Sequence, residues 1–133
     1  MLSKLSIKNF ALIDDVCVEF TSGLTSITGE TGAGKSIILA ALSLALGKRA
    51  DLNSIRNNAL KCIIEAEFVL EKSQFLILFN EFELDFDVHT IIRRELLPSG
   101  KSRAFVNDTP VTLSQLQLLS NYLLDIHSQH ETL

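Results

Sequence analysis

The chain contains no tryptophan, one tyrosine, two prolines and two cysteines. Without Trp, and with eight Phe, the core is expected to be aliphatic with phenylalanine filling. Cys17 and Cys62 form neither a disulfide framework nor a CxxC pair. Both sit in alternating apolar runs and are expected as buried free thiols in a reducing cytoplasm. Long apolar runs are lacking too. The longest, residues 37–46, has ten positions including Ser43 and ends at Gly47, too short to cross a bilayer, so no membrane partner is expected. The first ten residues, MLSKLSIKNF, carry no apolar h-region and no small-residue cleavage site, so no signal peptide is expected. Positive charge is also short: twelve Lys and Arg against sixteen Asp and Glu leave a net charge of −4. That excludes a broad nucleic-acid-gripping surface while leaving room for a local basic patch.

What remains is 133 residues, 47% hydrophobic and 21% charged, the balance of one ordinary globular domain. Alternating apolar positions predict strands at 2–8 and 16–20, joined near Ile13-Asp14-Asp15. Ser22-Gly23 marks a turn, and 24–28 a short third strand. Residues 35–46 are rich in Ala, Leu and Ile and stop at Gly47, as a helix does at its C′ position. This helix is apolar almost all round, which predicts burial on most sides. A strand is expected at 63–70, a short helix at 74–80, and a hairpin from 88–97 and 102–107 turning at Pro98-Ser99-Gly100-Lys101. Thr112 with Gln115 forms a capping box, predicting a helix at 113–121. A last strand at 123–127 and a loop at 128–133 complete the reading. The elements together predict an α/β lobe with a mixed sheet.

The segment Gly29-Glu30-Thr31-Gly32-Ala33-Gly34-Lys35-Ser36 matches G-x-x-x-x-G-K-[ST] at every fixed position. The chemistry needs this spacing. Glycines let the loop curl until several backbone N–H groups face a phosphate. The helix that follows adds the positive end of its dipole. Lys35 is expected at the β- and γ-phosphates as a catalytic residue, and the Ser36 hydroxyl on Mg²⁺. Ile37 and Arg56 complete the expected nucleotide contacts, with ATP as the ligand. A chance match occurs in roughly one chain in two hundred of this size, and the strand before and helix after make chance a poorer account still. A GTPase would carry N-K-x-D, which does not occur. A hairpin ahead of the P-loop strand suits the antiparallel β-subdomain of ABC-type ATPase heads.

Several runs then carry a more specific resemblance: Lys8-Asn9-Phe10-Ala11-Leu12-Ile13, Glu19-Phe20, Gly23-Leu24-Thr25 and Thr28 through Ile37. They continue as Leu46-Gly47-Lys48-Arg49-Ala50-Asp51, Ile55-Arg56, Arg93-Arg94-Glu95, Gly100-Lys101-Ser102-Arg103, Thr109-Pro110-Val111-Thr112-Leu113 and Asp125-Ile126-His127-Ser128-Gln129-His130-Glu131. Over nearly the whole chain this resembles the N-terminal half of an SMC-type ATPase head of the RecN family. Ser128 stands where that family carries Gly. The resemblance implies a P-loop NTPase fold, residues 1–133 forming the first part of a head that a coiled coil splits from its second half. It implies an ATPase in the complete protein and an inactive fragment, because the Walker B carboxylates and signature motif belong to the second half. It further implies a cytoplasmic, nucleoid-associated role in double-strand break repair and recombination. Partners would be the C-terminal half of the same head, a second head, and DNA reached through the complete protein.

Other residues carry weaker signals. Gln129, after an expected strand end, looks like the Q-loop glutamine, a catalytic residue that would ligate Mg²⁺ and place the attacking water; otherwise it is a loop polar residue. A rival takes Tyr122-Leu123-Leu124-Asp125 as a Walker B strand with Asp125 on the metal. His127, His130 and Glu131 invite a metal reading but lack the ligand number of a zinc site. His89 is expected exposed or half buried. Arg56, or alternatively Arg49, is where SMC-type heads place an arginine sensing nucleotide or DNA; a surface salt bridge is the plain alternative. Arg93, Arg94, Lys101 and Arg103 crowd the expected hairpin, where they could touch DNA phosphates or simply keep an edge soluble. Outside the SMC reading stand a self-contained P-loop kinase or nucleotide-binding regulatory module, and a dimerisation domain with a vestigial P-loop.

Overall fold

The computed structural model describes residues 1–20 and 32–132, with side chains left aside at 32, 33, 52 and 125–132. The turn at Ser22-Gly23, the strand expected at 24–28 and loop residues Gly29, Glu30 and Thr31 lie outside these described residues.

The described strands form one antiparallel sheet. They are β1 (Leu2–Phe10), β2 (Ile13–Glu19), β3 (Cys62–Val69), β4 (His89–Leu96), β5 (Ser102–Val106) and β6 (Thr109–Val111). Their spatial order is β2-β1-β3-β4-β5-β6, and every pair is antiparallel. A mixed sheet is therefore not what these strands make. Register follows the apolar alternation: Leu5 faces Ala66, Ile7 faces Ile64, and Ile64 in turn faces Arg94. One face thus carries Leu5, Ile7, Cys62, Ile64, Ala66, Ile92 and Leu96, all buried. Helix α1 (Gly32–Ala45) packs against β1, β3 and β4, adding Ala41, Leu44 and Ala45 to the core. Helix α2 (Lys72–Glu81) contributes Phe75 and Phe79. Phe79 meets both Phe75 and Phe86 edge-on, an arrangement the ring quadrupoles favour.

Helix α3 runs unbroken from Leu113 to Thr132, which overturns the strand at 123–127 and, as far as Thr132, the loop expected at 128–133; Leu133 lies outside the described residues. The reason lies in the spacing of Leu116, Leu119, Ser120 and Leu123, all buried. Those intervals of three and four keep the helical period running, and no Gly or Pro interrupts it. The predicted start is correct. Gln115 N donates to Thr112 Oγ1 at 3.1 Å and Thr112 N to Gln115 Oε1 at 2.9 Å, a complete capping box.

The β1–β2 turn lies at Ala11-Leu12, ahead of the expected Ile13-Asp14-Asp15, because Phe10 pairs with Ile13 and Ala11 takes φ 53°. Strand β6 and a 3-10 turn at Leu52–Ser54 escape the sequence reading. The turn into β6 uses Asn107 (φ 47°) and Asp108 (φ 68°), two residue types that tolerate the left-handed region. Cys17, expected buried, is exposed, whereas Cys62 is buried. Val16 and Val18 turn toward the core, so the period of two sends Cys17 to the opposite face.

The thiols give a direct test. Burial pushes the Cys62 thiol up to about 11, so the folded protein holds its proton where the unfolded chain releases it. Stability from this group is full below the unfolded value near 9 and is lost as pH rises toward 11. At pH 8 a maleimide is expected to label Cys17 within minutes and Cys62 only after unfolding. Equal labelling of both thiols in the native state would contradict the packing around Cys62.

Candidate nucleotide-binding site

The described part of the P-loop opens α1. Gly32 to Ser36 form the first turns of that helix, at the positive end of its dipole. The first turn of the helix carries no acidic side chain. Lys35 and Ser36 are exposed and Gly34 is half-buried. Exposed Lys35 and Ser36 at a helix N-terminus are residue types suited to a polyphosphate. The Ser36 hydroxyl has the hard-oxygen chemistry that Mg²⁺ selects.

The opposite end of α1 is held more firmly than the sequence suggests. Gly47 has φ 108°, Gly47 N donates to Leu44 O at 3.1 Å, and Lys48 N donates to Ser43 O at 3.1 Å. This is a Schellman ending. Arg94, on β4, then adds a guanidinium that is 1% exposed. Its Nη1 donates to Leu44 O and Lys48 O, both at 2.8 Å, and its Nε donates to Ser102 Oγ at 2.8 Å. Among the described residues no carboxylate pairs with it; helix carbonyls, the negative end of the dipole, take that place. Burial pulls its pKa below the usual arginine range. From the other side Gln117 Nε2, on α3, donates to Gly47 O at 2.8 Å.

Arg94 is therefore no candidate for a DNA phosphate. Its neighbours on the opposite sheet face are also committed. Glu95 is 8% exposed and lies within 3.6 Å of Lys61, 3.4 Å of Arg93 and 3.7 Å of Arg103. Arg93 reaches Asp108 at 3.4 Å and stacks over Phe105 at 4.3 Å. Among the described residues Arg93 and Arg103 are ion-paired, Arg94 is held by carbonyls and a hydroxyl, and only Lys101, exposed on the turn, has neither kind of partner.

Arg56 sits in a segment pinned to the β1–β2 turn. Arg56 N donates to Asn9 O at 3.3 Å. The Asn9 amide, at φ 57°, donates to the carbonyls of Asn57 and Leu60, both at 3.0 Å, and accepts from Asn57 N at 2.7 Å. The Arg56 side chain pairs with Asp14 at 3.7 Å, and Arg49 is exposed, as is His89. Asp125, His127, Gln129, His130 and Glu131 all lie on α3, so Asp125 does not end a Walker B strand. The strand expected ahead of Gln129 is likewise helix. Asn9 and Gln117 escape the sequence reading altogether; for Asn9 the available signal is an Asn at the end of an alternating run, a residue type prone to left-handed backbone.

Comparison with known proteins bears on this geometry. A family model described as an AAA domain matches residues 4–129. The DNA repair protein RecN of Vibrio cholerae is 43% identical over 131 residues, covering 98% of this chain and 24% of that protein. RecN of Bacillus subtilis is 44% identical over 133 residues, covering 98% and 23%. The chain thus spans about a quarter of the length of these relatives. Among solved structures, one described as the structural biochemistry of ATP-driven dimerization and DNA-stimulated activation of SMC ATPases superposes with TM-score 0.72 at 22% identity, covering 92% of this chain and 79% of that one. A recombination mediator protein RecF structure gives TM-score 0.63 at 17% identity, covering 87% and 29%. The fold is that of an SMC-type P-loop ATPase head.

Proposed function

Because the chain belongs to the AAA-domain family, we propose that it forms the ATP-binding, N-terminal part of an SMC-like ATPase head acting in DNA double-strand break repair and recombination. The observation that carries this reading is the P-loop sequence opening α1 with Lys35 and Ser36 exposed, in a chain above 40% identical to RecN proteins. That similarity does not favour a self-contained kinase. In this reading Gly29 through Ile37 wrap the triphosphate, Lys35 neutralises its β- and γ-oxygens, and Arg56 leaves Asp14 to contact nucleotide. Ser36 and Gln129 would hold Mg²⁺, which when bound draws charge from the phosphates.

A partner surface supports an incomplete head. On the side of α1 away from the core Leu39 and Ala40 are exposed, and on α3 Leu118, Tyr122 and Leu124 are too. The second half of the head would cover such apolar positions and bring the Walker B carboxylates. ATP would then clamp two heads together, with DNA engaged through the complete protein.

Association is the test: sedimentation of the intact protein is expected to show heads pairing with ATP and separating after hydrolysis. Gln129→Ala is expected to keep ATP binding and paired heads while slowing turnover roughly 10- to 1,000-fold. Turnover at the normal rate in that variant would remove Gln129 from the site, and ATP-independent association would sink the clamp.

A further inference from the structure

We propose that Gln117 is a positioning residue for the phosphate site, locking the end of the P-loop helix to α3 so that nucleotide binding and the placement of α3 depend on each other. The inference rests on the P-loop reading and goes beyond it.

The C-terminal end of α1 is gripped from two elements. Arg94 holds Leu44 O and Lys48 O from the sheet, and Gln117 holds Gly47 O from α3. The contact from α3 is close as well as hydrogen-bonded: a Cβ added at Gly47 would lie 2.8 Å from Gln117 Cγ and 3.3 Å from Gln117 N. With hydrogen at that position, α3 sits directly on the helix end. An α-helix is axially stiff, and fourteen residues at about 1.5 Å each put the phosphate cradle roughly 20 Å from this grip. A shift at one end therefore reaches the N–H groups at the other, where phosphate bonds tolerate only a few tenths of an ångström.

Arg94 ties α1 to a rigid sheet. Gln117 ties it to a helix anchored in the core by Leu116, Leu119, Ser120 and Leu123 among the residues whose side chains are described. The remainder of that helix carries Gln129. A phosphate-induced movement of α1 is thus handed to α3 at Gly47, where the Gln117 amide supplies the hydrogen bond beside the packing contact.

The experiment measures ATP affinity by calorimetry on the intact protein, at a temperature where melting curves show every variant folded. Gln117→Ala and the similarly sized Gln117→Met both lose the donor, and each is expected to weaken ATP about 3- to 10-fold, one neutral hydrogen bond's worth. Gln117→Lys, which restores a donor on a long stem, is expected to recover most of that affinity. A purely structural residue would lower the melting temperature and leave affinity within about twofold of the wild type; that result overturns the proposal. So does a Gln117→Met variant that binds normally, since packing alone would then suffice. Lys35→Ala, run alongside, separates the two levels. If it weakens binding by about 100-fold or more while the Gln117 variants bind normally, only the positioning role fails. If Lys35→Ala binds normally, the P-loop reading fails and takes this one with it.

Discussion

Replacing Lys35 by alanine is expected to weaken ATP binding by about 100- to 1,000-fold and to abolish ATP-driven association of heads. Lys35 is exposed at the first turns of α1, so it contributes little to packing. Its value lies in charge-assisted hydrogen bonds to phosphate oxygens, each worth about 1.5–3 kcal/mol. Losing two such bonds near the lower end of that span, about 3–4 kcal/mol in all, gives the stated range. Backbone N–H groups at the helix start remain, so weak residual binding survives. Circular dichroism is expected to show an unchanged fold and a melting temperature within about 2 °C, as befits an exposed substitution. A variant that binds ATP normally would show that the nucleotide sits elsewhere. One that unfolds would make Lys35 structural.

Replacing Arg94 by methionine is expected to cost about 3 kcal/mol, lowering Tm by roughly 10 °C for a domain of this size. Two effects oppose each other. Removing a buried guanidinium relieves its desolvation cost, which argues for a smaller loss. Against that, the part-buried Lys48 O loses its donor and the buried Leu44 O keeps only Gly47 N, and acceptors left short of a donor away from water cost about 1–3 kcal/mol. The negative end of the α1 dipole also loses the buried cation beside it. The carbonyls win because they cannot move: the Schellman ending fixes their direction. Arg94→Lys is expected to fall between, since an ammonium reaches one carbonyl more readily than two plus Ser102. Chemical denaturation decides it. A methionine variant as stable as the wild type would show that relief from desolvation outweighs the lost hydrogen bonds.

Arg94 also illustrates what the sequence discloses. Its alternation with Thr90, Ile92 and Leu96 places it on the core face of β4, yet a charge in a hairpin reads as a surface charge. Partners, not period, decide the matter, and its partners Leu44 and Lys48 are remote in the chain. Local signals are more faithful. Gly47 ends α1 and Thr112-Gln115 starts α3, because both are written within one helical turn. Tyr122-Leu123-Leu124 misleads because three adjacent apolar residues fit a strand as well as a helix; only Leu116 and Leu119 behind them decide. Pro110 masks β6, since proline argues against a strand except at an edge. For the site, the phosphate cradle is legible as a motif, whereas the grip on its far end depends on long-range contacts that no motif records.

The order of the sheet has a bearing on solubility. Among the described strands β2 and β6 are the two edges, where unpaired backbone groups invite strands from other molecules. At β6 only three residues are extended and the middle one is Pro110, which has no N–H to offer. At β2 the exposed Asp14 and Asp15 set two negative charges along the rim. An incoming apolar strand would have to bury those carboxylates or stop after a single pairing. Both edges of the described sheet are thereby guarded against stacking into fibrils.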